Sequence, residues 1–197
     1  NRWRLPKAVT STGKKKFDRK VAISAAGEIT NYLAGSCERI IVAGSLRRRK
    51  LTVGDVELVY IPEFKIEKLD LLTEGRVNQA DKCLQNLIKL GIIAKRKNVR
   101  GSEVWGEKNK LAVHCKTGIP VDFFSTTVEA WYNYLVCRTG GARNNTLIAE
   151  AYQRRRWKWN PYSAGYTDNH GLPHRNASEA MVYENAGLKY LHPWERP

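Results

Sequence analysis

Three carboxylates set inside apolar, strand-like runs constrain this chain more than any other feature. Residues 54–61 read Gly-Asp-Val-Glu-Leu-Val-Tyr-Ile, which places Asp55 and Glu57 at the head of an otherwise apolar run. Residues 119–124 read Ile-Pro-Val-Asp-Phe-Phe and carry Asp122 in the same way. Short apolar runs rich in β-branched and aromatic residues fold as buried strands, and such strands need a sheet. Carboxylates are expensive in that setting unless something cationic satisfies them. Asp55 and Glu57 stand two residues apart, so in a strand both side chains leave the same face. They repel one another there until a cation bridges them.

Around these runs the periodicity alternates between helix and strand. Apolar residues recur every four positions at Phe17, Val21, Ala25, Ile29 and Leu33, which predicts an amphipathic helix over 17–33 with Gly35 placed to end it. Residues 39–43 read as a buried strand running into Gly44-Ser45, and a basic loop of Arg47, Arg48, Arg49 and Lys50 follows. Residues 76–90 predict a second helix stopped at Gly91. Short strands are expected at 92–94, 104–105 and 111–113, and the strand carrying Asp122 completes a mixed sheet. Residues 126–138 predict another helix. At Thr139-Gly140-Gly141 the composition changes. Beyond it the pattern predicts a helix over 144–156, a small hairpin in the aromatic, Gly- and Pro-rich segment 157–175, a helix capped by Ser178, and an extended tail over 188–197. Together these predict an α+β domain with a mixed sheet and flanking helices, followed by a small mixed lobe and preceded by a basic arm over 1–17.

Lys and Arg number 34 against 19 Asp and Glu, a net charge of +15. An excess of that size is suited to attracting a polyanion. The cations cluster at Lys14, Lys15 and Lys16, at Lys95, Arg96, Lys97 and Arg100, and at Arg154, Arg155 and Arg156, which makes these the candidate phosphate contacts. Trp157, Trp159 and Tyr162 are available to stack on bases, whereas Trp194 reads as core filling of a small lobe. No run of about 18 apolar residues is present, so no membrane span is expected, and the N-terminal residues lack an apolar signal core. The four cysteines form no CxxC pair and predict reduced thiols in a cytosol-like compartment. His170 and His174 have Gly171 and Pro173 between them and no cysteine nearby, so no zinc site is expected.

Oxygen ligands alone suit magnesium, which keeps waters and phosphate oxygens in its shell. The expectation is that Asp55 and Glu57 hold one ion together with a nucleoside triphosphate. A second ion would sit among Asp55, Glu57 and Asp122 beside a primer 3′-hydroxyl, with Asp122 accepting its proton. Gly44 allows the backbone to approach a phosphate, Ser45 adds a hydrogen bond, and Arg47 to Lys50 supply cations within reach.

Gly44-Ser45-Leu46-Arg47-Arg48 followed by Gly54-Asp55-Val56-Glu57 resembles the nucleotidyltransferase signature of the family X DNA polymerases, the relatives of DNA polymerase beta. Thr139-Gly140-Gly141, Asn144-Asn145 and the tail Gly187-Leu188-Lys189-Tyr190-Leu191-His192-Pro193-Trp194-Glu195-Arg196 resemble the thumb of that family, in the same order. The resemblance runs from about residue 18 onward. It implies a nucleotidyltransferase palm over 1–138, with its basic N-terminal arm, and a small α+β thumb over 139–197. That is a minimal palm-plus-thumb form like the one in a viral branch of the family. It implies a monomeric, template-directed DNA polymerase that uses deoxynucleoside triphosphates on gapped or primer–template DNA, with two Mg²⁺ ions, Mn²⁺ being a possible substitute. Its setting would be repair or replication, in the cytoplasm or nucleoid of a bacterium or infected cell, or in a eukaryotic nucleus. Asp55, Glu57 and Asp122 match the metal-binding triad. Gly44, Ser45, Arg48, Gly54, Thr139, Gly140 and Asn145 match positions around the incoming nucleotide.

Three positions depart from the family pattern. Glu57 stands where the family usually has Asp, and its extra methylene is expected to shift the metals or their preference. Cys137-Arg138 replaces an aromatic pair that lies against the sugar, so weak exclusion of ribonucleotides is expected. Pro120 stands where an arginine often flanks the third acid. Two other readings share the same residues. One is a template-independent terminal or RNA-directed nucleotidyltransferase; the other is a non-catalytic basic module that binds nucleic acid.

Overall fold

The computed structural model describes residues 15–70 and 73–197. The arm as far as Lys14 lies outside the described residues. Phe17–Asp18 (β1) pairs with Thr52–Val53 (β3), and Asp18 then caps the first helix, Arg19–Leu33 (α1), by accepting a hydrogen bond from the Lys20 amide at 2.7 Å. The helix therefore starts two residues later than its apolar spacing suggested. Its buried face is Ala22, Ala25, Ala26, Ile29 and Leu33. A strict spacing of four drifts around a helix of 3.6 residues per turn, so Val21, assigned to that face from sequence, is 42 % exposed.

A short 3₁₀ turn at Ala34–Ser36 leads into Cys37–Val42 (β2). One helical turn, Gly44–Arg47 (α2), precedes β3, and Val56–Pro62 (β4) follows. Phe64–Lys68 (β5) and Glu74–Asn78 (β6) pair as an antiparallel hairpin. The sequence pattern predicts no strand at 64–68 and assigns 76–78 to a helix. Most side chains of β5 are exposed, so its alternation builds no core face, and Val77 was absorbed into the apolar spacing of the next element. That element, Gln79–Lys89 (α3), begins where Asn78 accepts a hydrogen bond from the Asp81 amide at 3.0 Å.

Ile93–Lys95 (β7), Asn109–His114 (β8) and Pro120–Ser125 (β9) complete the main sheet, whose strand order is β2-β4-β9-β8-β7. β4 and β9 run parallel and every other pair is antiparallel, so the sheet is mixed, as expected. Trp105, expected in a strand, makes only an isolated bridge to Lys110. Alternation sorts the two faces. Val56, Leu58, Tyr60, Val121 and Phe123 pack with α1 and α3 in the larger cluster. Val59, Ile61 and Phe124 face the other way, onto Trp131, Tyr134 and Leu135 of the helix Trp131–Thr139 (α4). Full burial of side chains of this size contributes about 1.5–3 kcal/mol each.

The C-terminal part holds Ala142–Arg154 (α5), a three-stranded sheet of Lys158–Trp159 (β10), Gly165–Thr167 (β11) and Pro173–Arg175 (β12), and Glu179–Ala186 (α6). Ser178 caps α6 by accepting from the Met181 amide at 3.0 Å, and Gly187 ends it with φ 72°. Ile148, Tyr152, Tyr166, Val182 and Tyr183 form a separate apolar cluster that includes Val136 of α4. Trp157 and Trp159 belong to it, stacked on Tyr166 and Tyr152 at 4.8 and 6.3 Å. Trp194 does not fill a core. It is 45 % exposed, stacked between His192 and the Arg49 guanidinium, which lies 4.0 Å from its ring centre.

Candidate active site

The parallel register of β4 and β9 sets Glu57 directly beside Asp122. Glu57 and Asp122 therefore share the face of the sheet that carries Phe124 and α4, near the N-terminal ends of the two parallel strands, and Asp55, in the loop just ahead of β4, acts on Glu57 through its charge. The one-turn helix α2 closes over this corner. Gly44 adopts φ 59°, and a methyl group on it would overlap the Glu57 carboxylate. The glycine therefore serves two purposes: a left-handed backbone, and room for the long arm of Glu57.

Burial pushes the Glu57 carboxyl up to about 7; the charges of Asp55 and Asp122 add to this, and Arg138 and Arg48 oppose it. Asp122 is ion-paired with Arg96. Arg96 also donates from Nε to the Ala112 carbonyl at 3.1 Å. An arginine thus does flank the third acid, delivered from just beyond β7 across the sheet and not from position 120 in sequence. Arg96 was expected on DNA; its guanidinium is instead engaged with the acid.

Among the described residues, no three His, Cys, Asp or Glu side chains stand close enough together to enclose one ion. The donor set nevertheless suits a hard divalent cation: three carboxylates and no nitrogen or sulfur, with one of them strongly disfavoured as a bare charge. Asp55, Glu57 and Asp122 are the residues that would hold it.

Around the acids the other expected positions separate into groups. Arg48 donates to the Thr139 carbonyl at 2.6 Å, and burial lowers its pKa while Glu57 and Asp55 raise it, so its charge lies against the acid corner. Ser45 is the second residue of α2 and is half-buried; Gly54 is buried beside Asp55. Thr139 is fully buried, and its hydroxyl accepts from Arg47 at 2.8 Å. Gly140 leaves no space for a side chain against Asn144 and Asn145, and Asn145 donates to the Cys137 carbonyl at 2.8 Å.

Arg47 was expected beside the triphosphate. It is committed elsewhere, forming two hydrogen bonds with Glu179 of α6 at 3.0 and 2.6 Å. Glu179 also accepts from Arg196 at 2.7 Å, and Arg196 is only 1 % exposed. This triad ties the one-turn helix to the C-terminal part; it is not legible in the sequence because its three members lie 132 and 17 residues apart and meet only through the fold. Of the remaining candidate DNA contacts, Lys97, Arg100 and Arg154 are exposed. Lys95 pairs with Glu103 at 2.9 Å, and Arg155 donates to the Asn185 carbonyl at 2.8 Å. Lys15 and Lys16 are exposed.

Arg138 is a further residue of the site. Its guanidinium lies 3.7 Å from the centre of the Phe124 ring and within the field of Glu57. No protein-family model matches the chain, and no curated protein matches it.

Proposed function

We propose that this chain is a nucleotidyltransferase of the family X polymerase type that extends a DNA primer on a template. The observation that carries the proposal is the Glu57–Asp122 pairing across two parallel strands, with Asp55 two residues upstream and α2 closing over them. Asp55, Glu57 and Asp122 are the residues that would hold divalent ions, and these would supply Lewis-acid stabilisation to an in-line displacement. The chain's own groups do the rest. Asp122, oriented by Arg96, takes the proton of the 3′-hydroxyl as its oxygen attacks the α-phosphorus. The bond from the α-phosphorus to the bridging oxygen breaks and pyrophosphate leaves. Arg48, already beside Asp55 and Glu57, presents a guanidinium to the phosphates, as do the backbone amides of the Gly44-Ser45 turn. Arg47 is excluded from that role by Glu179.

The supporting charge pattern is the +15 excess, which favours a nucleic acid as the second substrate. The experiment is extension of a labelled primer on single-nucleotide-gapped DNA, with and without the template base, with Mg²⁺ or Mn²⁺, and with deoxy or ribo substrates. Template-dictated addition is expected, with weak rejection of ribonucleotides because position 138 carries an arginine that lies on Phe124. Addition independent of the template base would support the terminal-transferase reading. No addition under any condition would leave a binding module.

A further inference from the structure

A cleft of about 650 Å³ opens at the opposite, C-terminal ends of β4 and β9, between the β5–β6 hairpin and α4. It lies apart from the Gly44-Ser45 turn and borders the acid corner only through Arg138. Three buried polar atoms in its walls have no hydrogen-bond partner: Asn109 Oδ1, Thr126 Oγ1 and Arg138 Nε. Thr126 is only 9 % exposed, and its backbone is pinned by a hydrogen bond from its amide to the Tyr60 carbonyl at 2.9 Å. Buried polar groups are normally paired, and a group of orphans along one cleft marks a place where a ligand completes the pairing. Each atom is covered as it stands, so a turn about a side-chain bond has to present it to the occupant.

The chemistry of the walls narrows the occupant. Arg138 Nε–H donates, Asn109 Oδ1 accepts, and the Thr126 hydroxyl does either, which matches an edge carrying both donors and acceptors. Flat aromatic surface flanks this edge. Tyr162 is 55 % exposed and meets Tyr134 edge-on at 5.3 Å, and Phe64 carries the Arg76 guanidinium 4.0 Å from its ring centre. The charges are balanced, with Arg76, Lys108 and Arg138 against Glu38, Glu107 and Glu129, so the cleft is not built for a polyphosphate. We infer that the cleft binds an unpaired nucleobase, stacked on the exposed tyrosine and read along its polar edge. The inference rests on the nucleotidyl-transfer reading only for the source of the base, an unpaired nucleotide of a DNA strand as opposed to a free nucleoside.

The test is fluorescence quenching of 2-aminopurine, offered as the free deoxynucleoside and as one residue of a short single-stranded oligonucleotide, in metal-free buffer so that the acid corner is not engaged. The wild-type chain is expected to quench the probe. Thr126→Val should weaken binding about tenfold, the order expected for one lost hydrogen bond, and Tyr162→Ala should abolish the quenching. Thr126→Val should melt at or above the wild-type temperature, because it removes a hydroxyl that has no partner in the free protein. Quenching in the oligonucleotide alone assigns the base to a strand, and quenching of both probes assigns the site to the base itself. The inference is overturned if neither probe is quenched, or if both variants bind like the wild type. Binding that persists in a chain unable to extend primers would sink the polymerase reading and leave the nucleobase site standing.

Discussion

Glu57 bears the largest electrostatic cost at the site, and its effects can be measured without any substrate. Its carboxyl is raised from 4.5 to about 7 by burial and by the neighbouring acids. A raised acid favours folding while it is protonated, so this contribution is complete below about pH 4.5 and is lost as pH rises through about 7. The metal-free protein should lose roughly 3 kcal/mol from this group over that interval, and Glu57→Gln should flatten the loss. Urea melts of both proteins from pH 4.5 to 8 check this; parallel curves would contradict it. Divalent cations should bind more tightly over the same rise, because they compete with that proton. Gly44 is the partner of this residue. Gly44→Ala places a methyl group on a left-handed backbone and into the Glu57 carboxylate, and should cost about 1–2 kcal/mol and most of the extension activity. Wild-type activity in that variant would show that the turn does not control Glu57. The strand that carries Glu57 was legible in the sequence because strand period is a local property, but it starts at Val56, so Asp55, expected on the same strand face, lies in the loop ahead of it. That Asp122 sits beside Glu57, and that Arg96 pairs with it, was not legible, because register and cross-sheet reach are set by tertiary packing.

At the scale of elements, the junction between α2, α4 and α6 depends on one carboxylate. Glu179 accepts from Arg47 and from Arg196, whose own Nη1 is left without a partner although the residue is buried. Burial works against its charge, yet the two arginines hold the Glu179 carboxyl below its usual range. This contribution is therefore present above about pH 4.5 and is lost as pH falls through the depressed value, opposite in sign to that of Glu57. Removing one partner of a buried ion network leaves the others uncompensated, so Glu179→Ala should destabilise the chain by about 3–5 kcal/mol. Chemical denaturation followed by tryptophan fluorescence measures this, and a change below about 1 kcal/mol would show that the network is dispensable. The helices were visible from their apolar spacing and caps. The β5–β6 hairpin was not, because neither of its faces joins the core. Arg47 was misassigned for a related reason: a basic run beside a phosphate-type turn looks uniform in sequence, and only the fold shows which guanidinium already has a partner.

Across the whole molecule, the proposed reaction assigns the +15 charge to drawing in the nucleic acid and the acid corner to the chemistry. Cations at Lys97, Arg100 and Arg154 are exposed and free to meet phosphates, whereas those at Arg47, Arg96 and Arg196 are tied into the fold. Affinity for gapped DNA should therefore fall steeply as salt rises, with a log–log slope of about −0.9 per phosphate neutralised. A slope near zero in a salt titration would contradict the polyanion reading. The most direct measurement of the central claim is single-turnover extension of a gapped DNA primer by the wild-type chain and by Asp122→Ala. Addition of one templated nucleotide by the wild type, and none by the variant although it still binds the triphosphate, is the predicted result. Equal extension by both proteins, or none by either, would contradict it.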